Sequence, residues 1–182
     1  MSVHITFVAH STTLDNEAKK ASGWYDVDLS ALGKEQAAEL GLRMTNETFD
    51  AIFCSDLSRS FDTAAIAFQG RRIPIFKDKR LRECNYGDLT RAPSQEIEHS
   101  KLLHLSEPFP NGESYTDTNG RMKNFLDFLL KEYGEKRVLI VGHRATQYAL
   151  DYFIKGIPME ELLIAKFVWQ PLWSYIWTGE TA

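Results

Sequence analysis

Val3–Ser11 reads VHITFVAHS and Val138–His143 reads VLIVGH. Each is a short, nearly continuous apolar run that ends in a step to histidine. Such runs mark strands covered on both faces, because a strand with one wet face would alternate polar and apolar residues. Ala51–Cys54 (AIFC) and Ile73–Phe76 (IPIF) repeat the pattern. Together the four runs predict a largely parallel sheet. Helical spacing fills the intervals: Leu32, Ala37, Leu40 and Met44 within Ala31–Met44, and Leu57, Phe61, Ala64 and Phe68 within Leu57–Phe68. Ser30 and Ser55 stand where caps for these helices belong. The strongest apolar stripe is Met122, Phe125, Leu126, Leu129, Leu130 and Tyr133, which predicts a helix over about Thr116–Tyr133 ending at Gly134. Another helix is expected after His143, with Tyr148, Ala149, Tyr152 and Phe153 inward and Gly156 and Pro158 as stops. The tail KFVWQPLWSYIW, residues 166–177, reads as two strands. Strand and helix in alternation predict an α/β fold, a three-layer α/β/α sandwich with right-handed crossovers.

The 182 residues are one domain's worth of chain, and no linker interrupts them, so 1–182 is read as a single unit. The net charge of −4 argues against binding to a nucleic-acid backbone. No apolar run approaches the ~18 residues of a membrane span, and MSVHITFVAHS lacks a secretory leader's basic flank and cleavage site. The cytoplasm is therefore the expected compartment. Cys54 and Cys84 form no CxxC pair and are expected to be reduced and structural. Two stretches break the strand–helix rhythm, His10–Leu29 and Glu83–Gly112; long loops in a compact domain are candidate walls of a site.

Ligands of an open α/β sheet bind beyond the carboxyl ends of its strands. That edge is where the polar residues gather. His10 ends the first run, His143 follows the one at 138–141, Ser55 ends AIFC and leads to Arg59, and Glu83 lies shortly after IPIF. Helix N-termini expected at Ser55 and near Ala145 would add backbone N–H groups suited to an anion. Two imidazoles, a guanidinium and a carboxyl suit phosphoryl transfer: one imidazole attacks phosphorus, the cation and second imidazole neutralise the equatorial oxygens, and the carboxyl handles the proton. This chemistry needs no metal or other cofactor. Rival schemes fail on spacing. Four residues separate Cys54 from Arg59, one too few for a cysteine phosphatase loop, and there is no GxSxG, GxxxxGK[ST] or HExxH.

These residues resemble the histidine phosphatase superfamily, the phosphoglycerate-mutase-like branch 1, over nearly the whole chain. The family's Arg-His-Gly after the first strand is represented by Ala9-His10-Ser11, with Asn16 at the place of its asparagine. GWYDVDLSALGKEQA is similar to the loop and first helix, SDLSRSFDTA to the second signature, and LRECNYGDLTR to the block supplying the acid; PNGES and VLIVGH complete the order. The resemblance implies a phosphoglycerate-mutase-like fold with His10 as nucleophile. His143 and Arg59 would bind the phosphoryl oxygens, with Asn16 and Ser11 beside them, and Glu83 would act as general acid, then base. It also implies a small phosphorylated substrate or inorganic phosphate as partner.

Three positions depart from the family: Ala9 for arginine, Ser11 for glycine, and Arg144 for the glycine after the second histidine. Arg144 either reaches the space left by Ala9 or pairs with Asp151 or another nearby acid. The expected activity is phosphomonoester hydrolysis, with a non-catalytic phospho-ligand pocket and a mutase as alternatives. Self-association as a homodimer is left open. His4, His99 and His104 are expected at the surface or in packing. The basic run Lys77, Lys79, Arg80 and Arg82 is expected as a solvated edge, and Trp24, Tyr25, Tyr86, Phe109 and Tyr115 as aromatic loop residues on the substrate side or in packing.

Overall fold

The computed structural model describes residues 1–180. Five strands, β1 (Val3–Ala9), β2 (Ala51–Cys54), β3 (Ile75–Lys77), β4 (Arg137–Gly142) and β5 (Trp173–Trp177), form one sheet in the order β3-β2-β4-β1-β5. All neighbours are parallel except β5, which runs antiparallel to β1. The helices are α1 (Leu14–Glu17), α2 (Ala31–Arg43), α3 (Ser58–Ala67), α4 (Ser94–Ser100), α5 (Tyr115–Glu132), α6 (Arg144–Lys155) and α7 (Met159–Ile164).

Alternation along the central strands sorts their side chains into two cores. Phe53, Val138 and Ile140 pack with Phe125, Leu126 and Leu129 of α5 and Ala149, Leu150 and Phe153 of α6. Ile52, Cys54, Leu139 and Val141 pack with Leu40 of α2 and Ala64 and Ala67 of α3. The three-layer α/β/α reading therefore holds, and both faces of the central strands are dry, which is why their sequences show no alternation. A third cluster, with Cys84, Tyr86, Ile97, Phe109, Tyr115, Tyr148 and Leu162, roofs the end of α6 nearest the site. Each such aliphatic or aromatic side chain contributes about 1.5–3 kcal/mol through burial.

Several local expectations are corrected. β3 covers 75–77 rather than 73–76, since Pro74 has no N–H and only its carbonyl serves, accepting from Ile52 N at 2.9 Å. Of the tail, residues 173–177 form a strand and 166–172 do not; Pro171 cannot donate to a ladder. The stretches read as loops hold α1 and α4, and α7 was not anticipated. The main helix starts one residue early because Ser114 caps it, accepting from Asp117 N at 3.1 Å while the Asp117 carboxylate accepts from Ser114 N at 2.9 Å. Gly156, at φ 66°, ends α6 in the left-handed conformation. Gly33 lets the start of α2 lie against the loop after β1: a Cβ there would sit 1.9 Å from the Thr12 carbonyl oxygen. Among the described residues no helix is long and apolar enough to cross a membrane.

Candidate active site

The topology, more than any single element, creates the site. β4 enters between β1 and β2, and its register pairs Ala9 with Gly142. The next residues, His10 and His143, therefore emerge side by side, with His10 N donating to the Gly142 carbonyl at 2.9 Å and the two rings 5.1 Å apart. The first turn of α3 places Arg59 beneath them, and the loop after β3 brings Glu83. His10, His143, Arg59 and Glu83 all line one cavity of about 710 Å³, as do Ser11, Asn16 and Arg144. The two long loops supply much of its wall, including Ser22, Gly23, Tyr86 and Ile97.

His10 is held by one ring nitrogen. Nδ1 lies 2.8 Å from the Ser11 carbonyl oxygen, which can only accept, so Nδ1 carries the hydrogen and Nε2 keeps its lone pair. Burial, then the nearby Arg59 charge, lowers the His10 pKa to about 3, so the ring is neutral at pH 7. His143 is buried, and desolvation followed by Arg59 lowers its pKa well below the ordinary value. One of its ring nitrogens meets Ser55 Oγ at 2.6 Å; the other has no partner among the described residues.

Arg59 is buried, and its fork donates to the carbonyls of Gly23 (2.7 Å) and Tyr25 (3.0 Å), which fastens the first loop over the site. Burial pushes its pKa down, yet a guanidinium stays charged in a protein. Thr63 ties Arg59 to the nucleophile's loop. Its hydroxyl donates to the Arg59 carbonyl at 2.7 Å and accepts from Ser11 N at 3.0 Å.

Both helix N-termini expected to seat an anion are filled by the chain's own carboxylates. At α3, Asp26 accepts from Ser58 N at 2.7 Å. At α6, Glu83 accepts from the N–H groups of Arg144 and Ala145, each at 3.2 Å, and also from Cys84 N at 2.8 Å. The dipole that would have attracted a ligand instead fixes the candidate acid. The Ser55 cap is likewise corrected: Leu57 occupies that position without a side-chain bond, and Ser55 serves His143.

The departures behave differently. Arg144 pairs with Glu98 at 3.3 Å and lies 4.3 Å from the Phe167 ring centre, so the acid it meets is not Asp151. Asp151 is taken by Gln147, Tyr175 and Lys155. Asn16, exposed at the cavity edge, exchanges bonds with Thr13 as a capping box, its Oδ1 accepting from Thr13 N at 3.0 Å. Of the loop aromatics, Tyr86 reaches the cavity wall. Phe109 and Tyr115 are core; Trp24 bonds the Glu83 carbonyl at 2.7 Å. His4 and His99 are exposed, and His104 stacks on Phe109 at 3.7 Å. In the basic run Arg80 pairs with Asp78 and Arg82 with Asp56. Cys54 and Cys84 are free and buried, and burial pushes the Cys54 thiol up to about 12.

Sequence reasoning did not find the supports: Thr63, Glu113 and Arg121. Arg121 bonds the carbonyls of Arg80 and Arg82 (2.7 Å each) and Glu83 (2.8 Å) and pairs with Glu113 at 2.9 Å, which sets the Glu83 backbone. Only the PNGES stretch, holding Glu113, hinted at this. Nor was the stretch 167–173 anticipated on the cavity wall. Among the described residues no group of three or more His, Cys, Asp or Glu side chains is arranged to hold a metal.

The sequence pattern of the histidine phosphatase superfamily (branch 1) matches residues 5–168. The chain belongs to this superfamily. It is an enzyme of the histidine phosphatase type. Its relatives include an uncharacterized phosphatase, PhoE, of Bacillus subtilis, 31% identical over 152 residues, 84% of this chain and 77% of that one. The probable phosphoglycerate mutase GpmB of Yersinia pestis is 30% identical over 164 residues, 86% of this chain and 76% of that one. The solved structure of Bacillus stearothermophilus YhfR superposes with a TM-score of 0.80 at 26% identity, covering 96% of this chain and 90% of that one. The chain's relatives thus include proteins named for phosphatase and for mutase activity.

Proposed function

We propose that this chain hydrolyses small phosphomonoesters through a phosphohistidine at His10, without a metal ion. The observation that carries this reading is the state of His10: a neutral ring whose Nδ1–H is bonded to the Ser11 carbonyl, leaving the Nε2 lone pair on a cavity shared with Arg59, His143 and Glu83.

In the first half-reaction Nε2 attacks phosphorus in line with the leaving oxygen. A P–N bond forms as the P–O bond breaks. Arg59, with N–H groups not used on the loop carbonyls, neutralises charge on the equatorial oxygens, and the uncharged His143 ring beside them supplies hydrogen bonding. Glu83 acts as the general acid: it delivers a proton to the leaving oxygen and is left a carboxylate. In the second half-reaction that carboxylate takes a proton from water as the water oxygen attacks phosphorus, which breaks the P–N bond and releases phosphate. Ser11 and Asn16 border the phosphoryl space, and Arg144 stands at its edge as a second cation held by Glu98.

The test is a screen of phosphorylated metabolites in a chelator, following free phosphate and rearranged product together. Release of phosphate by the parent and its loss in His10→Ala support the reading. Full turnover in His10→Ala, or strict dependence on added metal, would overturn it.

A further inference from the structure

The cavity does not end at the histidines. It continues past Ala9 along the end of β1, between Leu40 of α2 and the stretch 167–173. Two facts open this extension. β5 pairs with β1 only as far as Trp173 opposite Phe7, so Val8 and Ala9 project beyond the edge strand. Ala9 then presents a single methyl where a longer side chain would fill the space.

The wall of the extension is rich in aromatic side chains. Trp173 packs on Phe7 with centroids 5.5 Å apart, Phe167 lies 6.4 Å from Trp173 at 31°, and the Arg144 guanidinium covers Phe167 at 4.3 Å. Trp169, 60% exposed, stands on the same wall. An indole this open contributes little to the core. Beside a candidate phosphoryl site it supplies a flat apolar face bordered by a cation, the surface on which an aromatic ring stacks.

We propose that this extension is a specificity subsite for a planar aromatic or heteroaromatic ring in the leaving group. The substrates are then phosphate monoesters of ring-bearing alcohols, with Phe167 and Trp169 as specificity residues and buried Trp173 as the backing beneath them. The proposal rests on the reading of His10 as the phosphoryl site and adds the substrate class.

The test compares 2-phenylethyl phosphate with propyl phosphate, two esters of primary alcohols, so that leaving-group acidity does not decide the outcome. In parallel, 2-phenylethylphosphonate and propylphosphonate, which cannot be hydrolysed, are bound to the parent and to Trp169→Ala and Phe167→Ala by calorimetry. A ring preference of about tenfold, the size of a stacking contact plus its burial, is expected in kcat/KM and in Kd. Each variant should bring both ratios toward one. Equal handling of both esters and both phosphonates overturns the subsite while leaving the hydrolase reading intact. A ring preference among the phosphonates with neither ester hydrolysed retains the subsite and removes the hydrolase reading. Failure of both preferences with no hydrolysis removes both. A preference that persists unchanged in both variants places the ring elsewhere and overturns the assignment of this wall.

Discussion

The floor of the cavity and its outer wall are built by opposite rules. On the floor, every polar group that the chemistry uses is held by another part of the chain: His10 by Ser11, His143 by Ser55, Arg59 by Gly23 and Tyr25, and Glu83 by three backbone N–H groups. Along the outer wall, Trp169 and Phe167 are exposed and Arg144 has an exposed carboxylate, Glu98, as its partner. The contrast teaches where this chain tolerates change. A floor residue is coupled to several strand ends at once, so its loss propagates. A wall residue can be replaced with effects confined to which molecule enters.

The largest expected break is at Glu83. Glu83→Gln retains most of the shape and one oxygen for the N–H groups of Cys84 and Ala145, loses the acceptor for Arg144 N, and cannot exchange the proton, so kcat should fall about 10²–10⁴-fold. The loss should be smaller for esters of acidic alcohols, whose leaving oxygen needs no proton; equal losses across leaving groups would remove Glu83 from acid catalysis.

A second consequence of the floor is electrostatic. With a folded pKa of about 3 against 6.5 when unfolded, His10 binds a proton in the unfolded chain before it does in the folded one. Its contribution to stability is complete above pH 6.5, declines as pH falls from there toward 3, and levels off below. An NMR titration of the His10 ring should show no inflection between pH 5 and 8. A midpoint near 6.5 would mean that the ring is neither desolvated nor close to Arg59.

Ser55→Ala tests the floor more gently. It leaves a buried imidazole nitrogen unpaired, which should cost about 1–3 kcal/mol in chemical denaturation and lower kcat/KM about tenfold through loss of His143's orientation. Unchanged values for both would show that Ser55 does not position the ring.

Glu98→Gln tests the wall and should have the smallest effect. The Arg144 pair is of the exposed kind that contributes about 0.2–1 kcal/mol, so its release should lower KM about two- to fivefold for a phosphomonoester with kcat little altered, while loss of the same carboxylate's 2.7 Å bond to buried Lys101 should appear separately as reduced folding stability. A rise in KM would mean that Glu98 holds Arg144 in its working position.

The same division explains what was legible in the sequence. β1, β2 and β4 were readable because burial on both faces leaves only apolar side chains, and their ends point to His10 and His143 without further information. Arg59 and Glu83 were readable from the order of short motifs. The supports were not: Thr63, Arg121 and Glu113 act through bonds that depend on strand order, which an individual segment does not carry. The helix N-termini were misread for a related reason. An unfilled helix end attracts an anion, but Asp26 and Glu83, remote in sequence, reach those ends first. Residues 166–172 looked like a strand by composition, yet their aromatic residues line a cavity instead of extending the ladder.

Hydrolysis as proposed turns on whether His10 carries the phosphoryl group. Rapid quenching of the reaction in base, followed by peptide mapping, tests it most directly. The expected result is a base-stable, acid-labile phosphoryl group on Nε2 of His10, formed at least as fast as turnover and accumulating further in Glu83→Gln with a good leaving group. A kinetically competent phosphoryl group on another residue, or steady turnover with His10 never labelled under conditions that preserve phosphohistidine, would contradict it.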